Sequence, residues 1–261
     1  MKICVVACTW FRPLQLGQLI KCFLEQDYPA ELAEMVILDD AGQYENARGD
    51  RWQLVSIPRR FKTLGEKRNA TIALVSDDVQ AVCIWDDDDL YLPWHLRASA
   101  AALERAPWSR PSNVLYEQPD RLTPHRTSGL YQGGWAFRLE KSDGLTGKSL
   151  PAGLSYSATS INEDQVLIGA LTRAGVTSAD PLAQGFAPSY IYRDASSASY
   201  HASYMGAVDE AWRVLTRESH WNWTQAPLSR ADLNEIARAG GQADWIHLPR
   251  DYRNLPIEGF S

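Results

Sequence analysis

The sequence predicts an open α/β fold built on one mostly parallel sheet. Three observations carry this expectation. The runs Ile3 to Cys8, Met35 to Leu38 and Ala81 to Trp85 are continuously apolar, as strands covered on both faces are. Segments of helical period alternate with them. All three runs end in polar groups: Thr9, then Asp39-Asp40, then Asp86 to Asp89. Open sheets collect ligand-binding groups beyond the carboxyl ends of their strands, so parallel strands would set all three clusters along one edge.

The elements follow in order. Pro13 opens the first helix, where its missing N–H costs nothing. Leu16, Leu19, Ile20, Phe23 and Leu24 then make one apolar face, and Asp27-Tyr28-Pro29 ends it. The run from Met35 is the second strand and Leu54 to Pro58 the third. Gly65 to Val75 reads as a helix with Ala70, Ala73 and Leu74 inward. Ala81 to Trp85 is the next strand, and Pro93 opens a helix to about Glu104. Residues 107–130 read as a strand or two within long loops. Gly133 to Arg138 reads as a turn entering a strand. Residues 141–160, rich in Gly and Ser, read as a candidate mobile loop. Glu163 to Ala174 carries Val166, Leu167, Ala170 and Leu171 at helical spacing.

Composition bounds the function. The chain of 261 residues, 45% of them hydrophobic, suits one large domain or a domain with a small appendage. A net charge of −6 argues against a protein that coats nucleic acid, since that affinity comes from Lys and Arg. Cys4, Cys8, Cys22 and Cys83 form no CxxC pair and read as buried free thiols of a reducing cytoplasm. No apolar run approaches the ~18 residues of a membrane-spanning helix. The expected location is the cytoplasm, with peripheral membrane contact left open.

The four aspartates ending an apolar strand are the strongest chemical signal. Adjacent carboxylates repel, so a cation or many N–H donors must compensate. On an extended segment Asp86 and Asp88 share one side. Such hard oxygen ligands suit Mg²⁺ or Mn²⁺, with diphosphate oxygens completing the shell. The structural alternative is a solvated acidic turn in which Asp89 caps the helix at Pro93.

Five motifs then occur in order: Val5 to Pro13, Val36 to Gly42, Gly65-Glu66-Lys67-Arg68-Asn69-Ala70, Trp85 to Asp89 with Pro93, and Asn162-Glu163-Asp164 with Leu167. Together they make residues 1 to about 200 resemble the family 2 glycosyltransferases, which have the A-type, Rossmann-like nucleotide-diphospho-sugar transferase fold. The resemblance implies a divalent cation (Mn²⁺ or Mg²⁺) and a nucleoside-diphosphate sugar donor, with UDP favoured. It implies that Thr9, Phe11, Asp39, Asp40, Arg68, Asp86 and Asp87 bind the donor nucleotide. Asp39 would accept from a base N–H. Asp88, with Asp86, would hold the cation. Asp164 would be the general base, with Glu163 the second candidate. One base facing one leaving group implies inversion at the anomeric carbon. Residues 1–203 would form the catalytic unit, with a donor half (1–116) and an acceptor half (117–203). Residues 204–261 would be a helical extension packed on it.

The acceptor is expected to be a glycan, a lipid-linked sugar or a similar hydroxyl, with Trp135 as a stacking surface and His201 near the diphosphate. Glycosylation of phage DNA bases is a variant that the negative charge disfavours. Arg59, Arg60 and Lys62 are a candidate basic lip. A nucleotidyltransferase would share the core, but it needs a glycine-rich phosphate loop that Thr9-Trp10-Phe11-Arg12-Pro13 lacks. A non-catalytic metal- or glycan-binding module is the remaining alternative, against which the intact Glu163-Asp164 pair argues.

Overall fold

The unalternated run from Ile3 becomes an inner strand. In the computed structural model, which describes residues 1–10, 12–117, 122–127, 131–142, 147–160 and 162–193, β1 (Ile3–Thr9) lies between β2 (Ala33–Asp39) and β5 (Ala81–Asp86). Both neighbours are parallel to it. Beyond β2 come β4 (Trp52–Ser56), also parallel, and β3 (Ala47–Arg48) at the edge. Beyond β5 the antiparallel β10 (Ala136–Arg138) leads to β7 (Trp108–Ser109) and β13 (Ser178–Ala179). The result is an eight-stranded, mixed but mainly parallel sheet, as the sequence predicts.

Alternation along β1 divides two cores. Ile3, Val5 and Ala7 face α1 (Pro13–Leu24) and α3 (His95–Leu103), packing with Leu19, Phe23, Leu96 and Leu103. Cys4 and Val6 face the other side, with Ile72 of α2 (Leu64–Ala73) and Leu167 and Leu171 of α4 (Glu163–Arg173). Burying both faces of the sheet is why these strands lack period-two patterning. A second sheet runs β6 (Leu90–Tyr91), β14 (Tyr190–Tyr192), β8 (Asn113–Glu117), β9 (Leu122–Arg126). A small hairpin pairs β11 (Glu140–Lys141) with β12 (Lys148–Ser149). All four cysteines are free thiols; Cys4, Cys22 and Cys83 are buried. Among the described residues no helix is long and apolar enough to cross a membrane.

Several expectations fail in instructive ways. The inward face of α2 is not Ala70, Ala73 and Leu74; Leu74 is 38% exposed, and Lys67, Arg68, Thr71 and Ile72 point in. Polar residues face inward because this helix borders a charged site as well as a core. Val166 of α4 is likewise exposed. Asp89 caps no helix. It is buried, accepts from the Tyr190 hydroxyl and from Arg193 N, and so ties the acidic turn to β14.

The loop before α4 is fastened to α2. Asn69 Nδ2 donates to Tyr156 O at 2.8 Å, and Tyr156 N donates to Asn69 Oδ1 at 2.9 Å. Gly65 N donates to Thr159 O at 3.1 Å. A Cβ on Gly65 would stand 1.8 Å from the Ser157 carbonyl oxygen. Backbone cannot yield as a side chain can, so Gly65→Ala should cost about 1–3 kcal/mol. A shift of the urea midpoint measures it; an unchanged midpoint would show that the loop moves freely.

Candidate active site

Register brings the polar clusters together. Thr9 pairs with Asp39, Asp39 with Ser56, and Cys8 with Asp86. Thr9, Asp39, Ser56 and Asp86 therefore line one edge of the parallel strands, where α/β sheets place their ligands. The described residues of 117–203 add Gln132, Tyr156, Glu163, Tyr190 and Arg193 around the same edge.

Asp39 is fully buried and organises the loop after β2. Its carboxylate accepts from Ala41 N at 3.1 Å, Gln43 N at 3.3 Å and Ser56 Oγ at 2.7 Å. Burial pushes its pKa above the ordinary carboxylate value, while these donors pull it back. Gly42 follows at φ +65°, and a Cβ there would meet Pro58 Cα at 2.6 Å, so the small residue is required. Asp40 points the other way. It meets Lys67 Nζ at 2.5 Å and Phe61 N at 3.1 Å, with Arg60 Nη1 at 3.5 Å. Lys67 is itself fully buried and also donates to Thr9 O at 2.7 Å. This clamp joins β1, β2 and α2, and sequence reasoning quoted Lys67 without giving it a role. Arg60 stacks on Trp10 at 3.9 Å, so it belongs to this corner and not to a free basic lip.

The acidic turn divides into closed and open carboxylates. Asp87 and Asp89 are 5% and 4% exposed. The side chains of Asp86 and Asp88 are 30% and 18% exposed. The segment is not extended, since β5 ends at Asp86 and the next residues turn, but the alternation survives. Burial raises both Asp87 and Asp89, Asp89 well above its ordinary value; Asp88 adds repulsion to each. Arg12 spans the turn, with Nη1 2.5 Å from Asp87 Oδ1 and 3.1 Å from Asp88 Oδ2. Thr9 Oγ1 and Asp87 Oδ2 are buried without a hydrogen-bond partner of regular geometry.

Arg68 sits at the centre. Its Nη2 donates to Asp86 Oδ1 at 2.9 Å, and its Nε lies 3.5 Å from Glu163 Oε1. Gln132, with its amide oxygen turned to the guanidinium, accepts from Nη2 at 2.7 Å and donates to the Tyr156 hydroxyl at 2.9 Å. Burial works against the charge on Arg68, and Asp86, Tyr156 and Glu163 more than offset it, holding the group firmly cationic. Gly133 closes the wall: a Cβ there would meet Asp86 Oδ2 at 3.0 Å and the Tyr91 and Tyr190 hydroxyls at 2.9 Å. Tyr91 Oη also accepts from Asp86 N at 2.7 Å.

Glu163 and Asp164 separate at the start of α4. Glu163 is buried and faces Arg68. Asp164 is half-buried, with its carboxylate held by Gln165 N at 2.7 Å. Burial raises the Glu163 carboxyl above its ordinary value, with Arg68 pulling the other way. The folded chain therefore keeps this proton where the unfolded chain has released it. The group's contribution to stability is full below the ordinary value and is lost as pH rises through the raised one. Glu163→Gln cannot ionise, so wild type should lose stability relative to it as pH rises above the ordinary value of 4.5, by up to about 1.4 kcal/mol per pH unit until the raised value is passed. Urea melts of both proteins across that range measure this; a pH-independent difference would contradict it.

Trp135 is a core residue. It is fully buried, edge-on to Trp108 and Phe137, so its ring offers no face to an acceptor. It directly precedes β10, an inner strand of the sheet, and its carbonyl accepts from Ile84 N at 2.9 Å. Phe11, His201 and the segment 204–261 lie outside the described residues. Sequence reasoning missed Arg12, Gln132, Tyr91, Tyr156 and Tyr190. Arg12 had a signal, since it stands in the loop between β1 and Pro13, and Tyr190 had one in the apolar run Tyr190-Ile191-Tyr192.

Among the described residues no group of three or more His, Cys, Asp and Glu could hold a metal ion. The open pair Asp86 and Asp88 suits a different arrangement, a Mg²⁺ or Mn²⁺ carried by one or two carboxylates and substrate phosphates.

No family model and no curated protein matches the chain. Solved structures do. TarS residues 1–349 from S. aureus in complex with UDP-GlcNAc superimposes with a TM-score of 0.57 at 15% identity, over 91% of this chain and 70% of that one. The same protein in complex with UDP gives 0.51 at 14% identity, over 91% and 70%. The mannosyltransferase PcManGT from Pyrobaculum calidifontis, in complex with GDP-Man and Mn²⁺, gives 0.52 at 15% identity, over 95% and 70%. At such identity the likeness is one of fold, and function must be argued from the site.

Proposed function

We propose that the chain is an inverting glycosyltransferase of the family 2 type, moving a sugar from a nucleoside-diphosphate donor to a hydroxyl acceptor. The observation that carries this reading is the convergence of Thr9, Asp39 and Asp86 in register at one sheet edge, closed by Arg68 from α2 and Glu163-Asp164 from α4. The fold shared with proteins solved in complex with UDP-GlcNAc and GDP-Man supports it.

The parts have distinct tasks. Asp39 and its loop hold the base and ribose with Thr9. Asp88 and Asp86 hold the divalent cation, which when bound supplies Lewis-acid neutralisation of the diphosphate. Arg68, fixed between Asp86, Gln132 and Glu163, presents a permanent positive charge towards the donor. Asp164 takes the proton from the acceptor hydroxyl as it attacks. The proton goes to Asp164, the new glycosidic bond forms at the anomeric carbon, and the bond to the nucleoside diphosphate breaks. The structural setting favours Asp164 over Glu163 as the base: Asp164 is only half-buried, while Glu163 is buried against Arg68.

Thermal stabilisation by UDP, GDP, dTDP and CMP, each with and without Mn²⁺, tests the donor site, because a ligand of the folded state raises the melting temperature by mass action. A Mn²⁺-dependent shift with a nucleoside diphosphate, lost in Asp88→Ala, is expected. Absence of any shift in folded protein would sink the reading. Release of pyrophosphate instead of nucleoside diphosphate would move it to nucleotidyl transfer.

A further inference from the structure

The residues meant for a cation already have one of the chain's own. Arg12 bridges Asp87 and Asp88 with a single terminal nitrogen, at 2.5 and 3.1 Å. Its side chain is only 11% exposed and that of Asp87 only 5%. The pairing is thus largely out of water, where charges act on each other strongly. It joins the loop after β1 to the turn after β5, two neighbouring strands of the donor edge. Asp86, the other open carboxylate, is engaged by Arg68. Two guanidinium groups therefore balance a turn of four carboxylates, but their attachments differ. Arg68 lies in the middle of a helix, between a glutamine, a tyrosine and two carboxylates. Arg12 lies in the loop just ahead of Pro13 and α1.

We propose that Arg12 is an exchangeable internal counter-ion: bridged to Asp87, it occupies Asp88, one of the two carboxylates read as the cation's, and gives way there when cation and nucleoside diphosphate arrive together. This rests on the donor-site reading above. The charge argument is specific. A cation arriving alone must approach Asp88 against a guanidinium 3.1 Å from that carboxylate. Moving Arg12 away alone would strip a buried carboxylate, Asp87, of its partner, which is costly. When a diphosphate comes with the cation both costs fall. The cation replaces Arg12 at Asp88, and the diphosphate gives the displaced guanidinium a new anion. No covalent bond changes; two ion pairs exchange partners. Cation and diphosphate then bind cooperatively, and each must tighten the other by the same factor.

The test is Mn²⁺ binding, read from the loss of the free-ion electron paramagnetic resonance signal, on the full chain. Wild type should bind Mn²⁺ weakly alone and at least about tenfold more tightly with saturating UDP or GDP. Arg12→Gln should bind Mn²⁺ alone about tenfold more tightly than wild type, so the nucleotide effect shrinks. Arg12→Lys keeps the charge and should keep Mn²⁺ binding alone near the wild-type level. It also serves if the glutamine variant fails to fold. The inference is overturned if Arg12→Gln leaves nucleotide-free Mn²⁺ affinity unchanged or weaker, or if Arg12→Lys, where glutamine does not fold, binds Mn²⁺ alone as tightly as wild type does with nucleotide. If no protein binds Mn²⁺ even with UDP or GDP, the donor-site reading falls and takes the inference with it. If wild type binds Mn²⁺ with nucleotide and Arg12→Gln behaves identically, only the inference falls.

Discussion

Replacing Lys67 by alanine should destabilise the fold by about 3–5 kcal/mol, because it leaves the buried carboxylate of Asp40 without its principal cation. Both side chains are fully buried, and the ammonium also satisfies the carbonyl of Thr9 at the end of β1. Arg60 at 3.5 Å and the Phe61 amide remain to Asp40, which is less than a buried charge needs. Chemical denaturation of wild type, Lys67→Ala, Asp40→Asn and Lys67→Met/Asp40→Asn measures this. Removing both charges should recover most of the loss, since a neutral pair of similar volume avoids the unpaired charge. A Lys67→Ala loss below about 1 kcal/mol would mean that water reaches Asp40. The same clamp fixes the relative position of Thr9 and Asp40, so a folded variant should also lose donor affinity.

How much of this was legible in the sequence depends on which force wrote each residue. The sheet was legible because burial on both faces leaves unbroken apolar runs at Ile3, Met35 and Ala81. Their parallel register then set Thr9, Asp39 and Asp86 on one edge. α2 misled because helical periodicity assumes that the inward face is apolar. Here it carries Lys67, Arg68 and Thr71, since half of that face meets a charged site. The partners of those charges lie far along the chain. Asp40 is 27 residues from Lys67, and Asp86 is 18 from Arg68, and no local spacing announces them. Gly65 and Asn69 were legible as parts of a motif but not as physics. Only the fold shows that one clears the Ser157 carbonyl and the other holds Tyr156. Trp135 failed for the opposite reason. A large aromatic suits a sugar face and a core equally, and its place beside an inner strand decided for the core.

Asp164→Asn should lower sugar transfer by about 10²–10⁴-fold, the usual loss when a general base is removed. Donor affinity should stay within about twofold of wild type, since the change leaves Arg68 and the acidic turn untouched. Glu163→Gln should do something different. Glu163 lies against Arg68 Nε, and Arg68 in turn donates to Asp86. Neutralising it loosens the guanidinium that faces the donor, so the larger change belongs in the KM for donor and in nucleotide affinity. The split between kcat and donor KM therefore tells a proton acceptor from a positioning residue. Two variants with the same buried-edge geometry but opposite kinetic signatures would fix the roles of adjacent carboxylates that sequence could only set side by side. If Glu163→Gln removed turnover with donor affinity intact and Asp164→Asn did not, the roles would exchange. The base would then be the buried carboxyl whose pKa the fold already raises above its ordinary value.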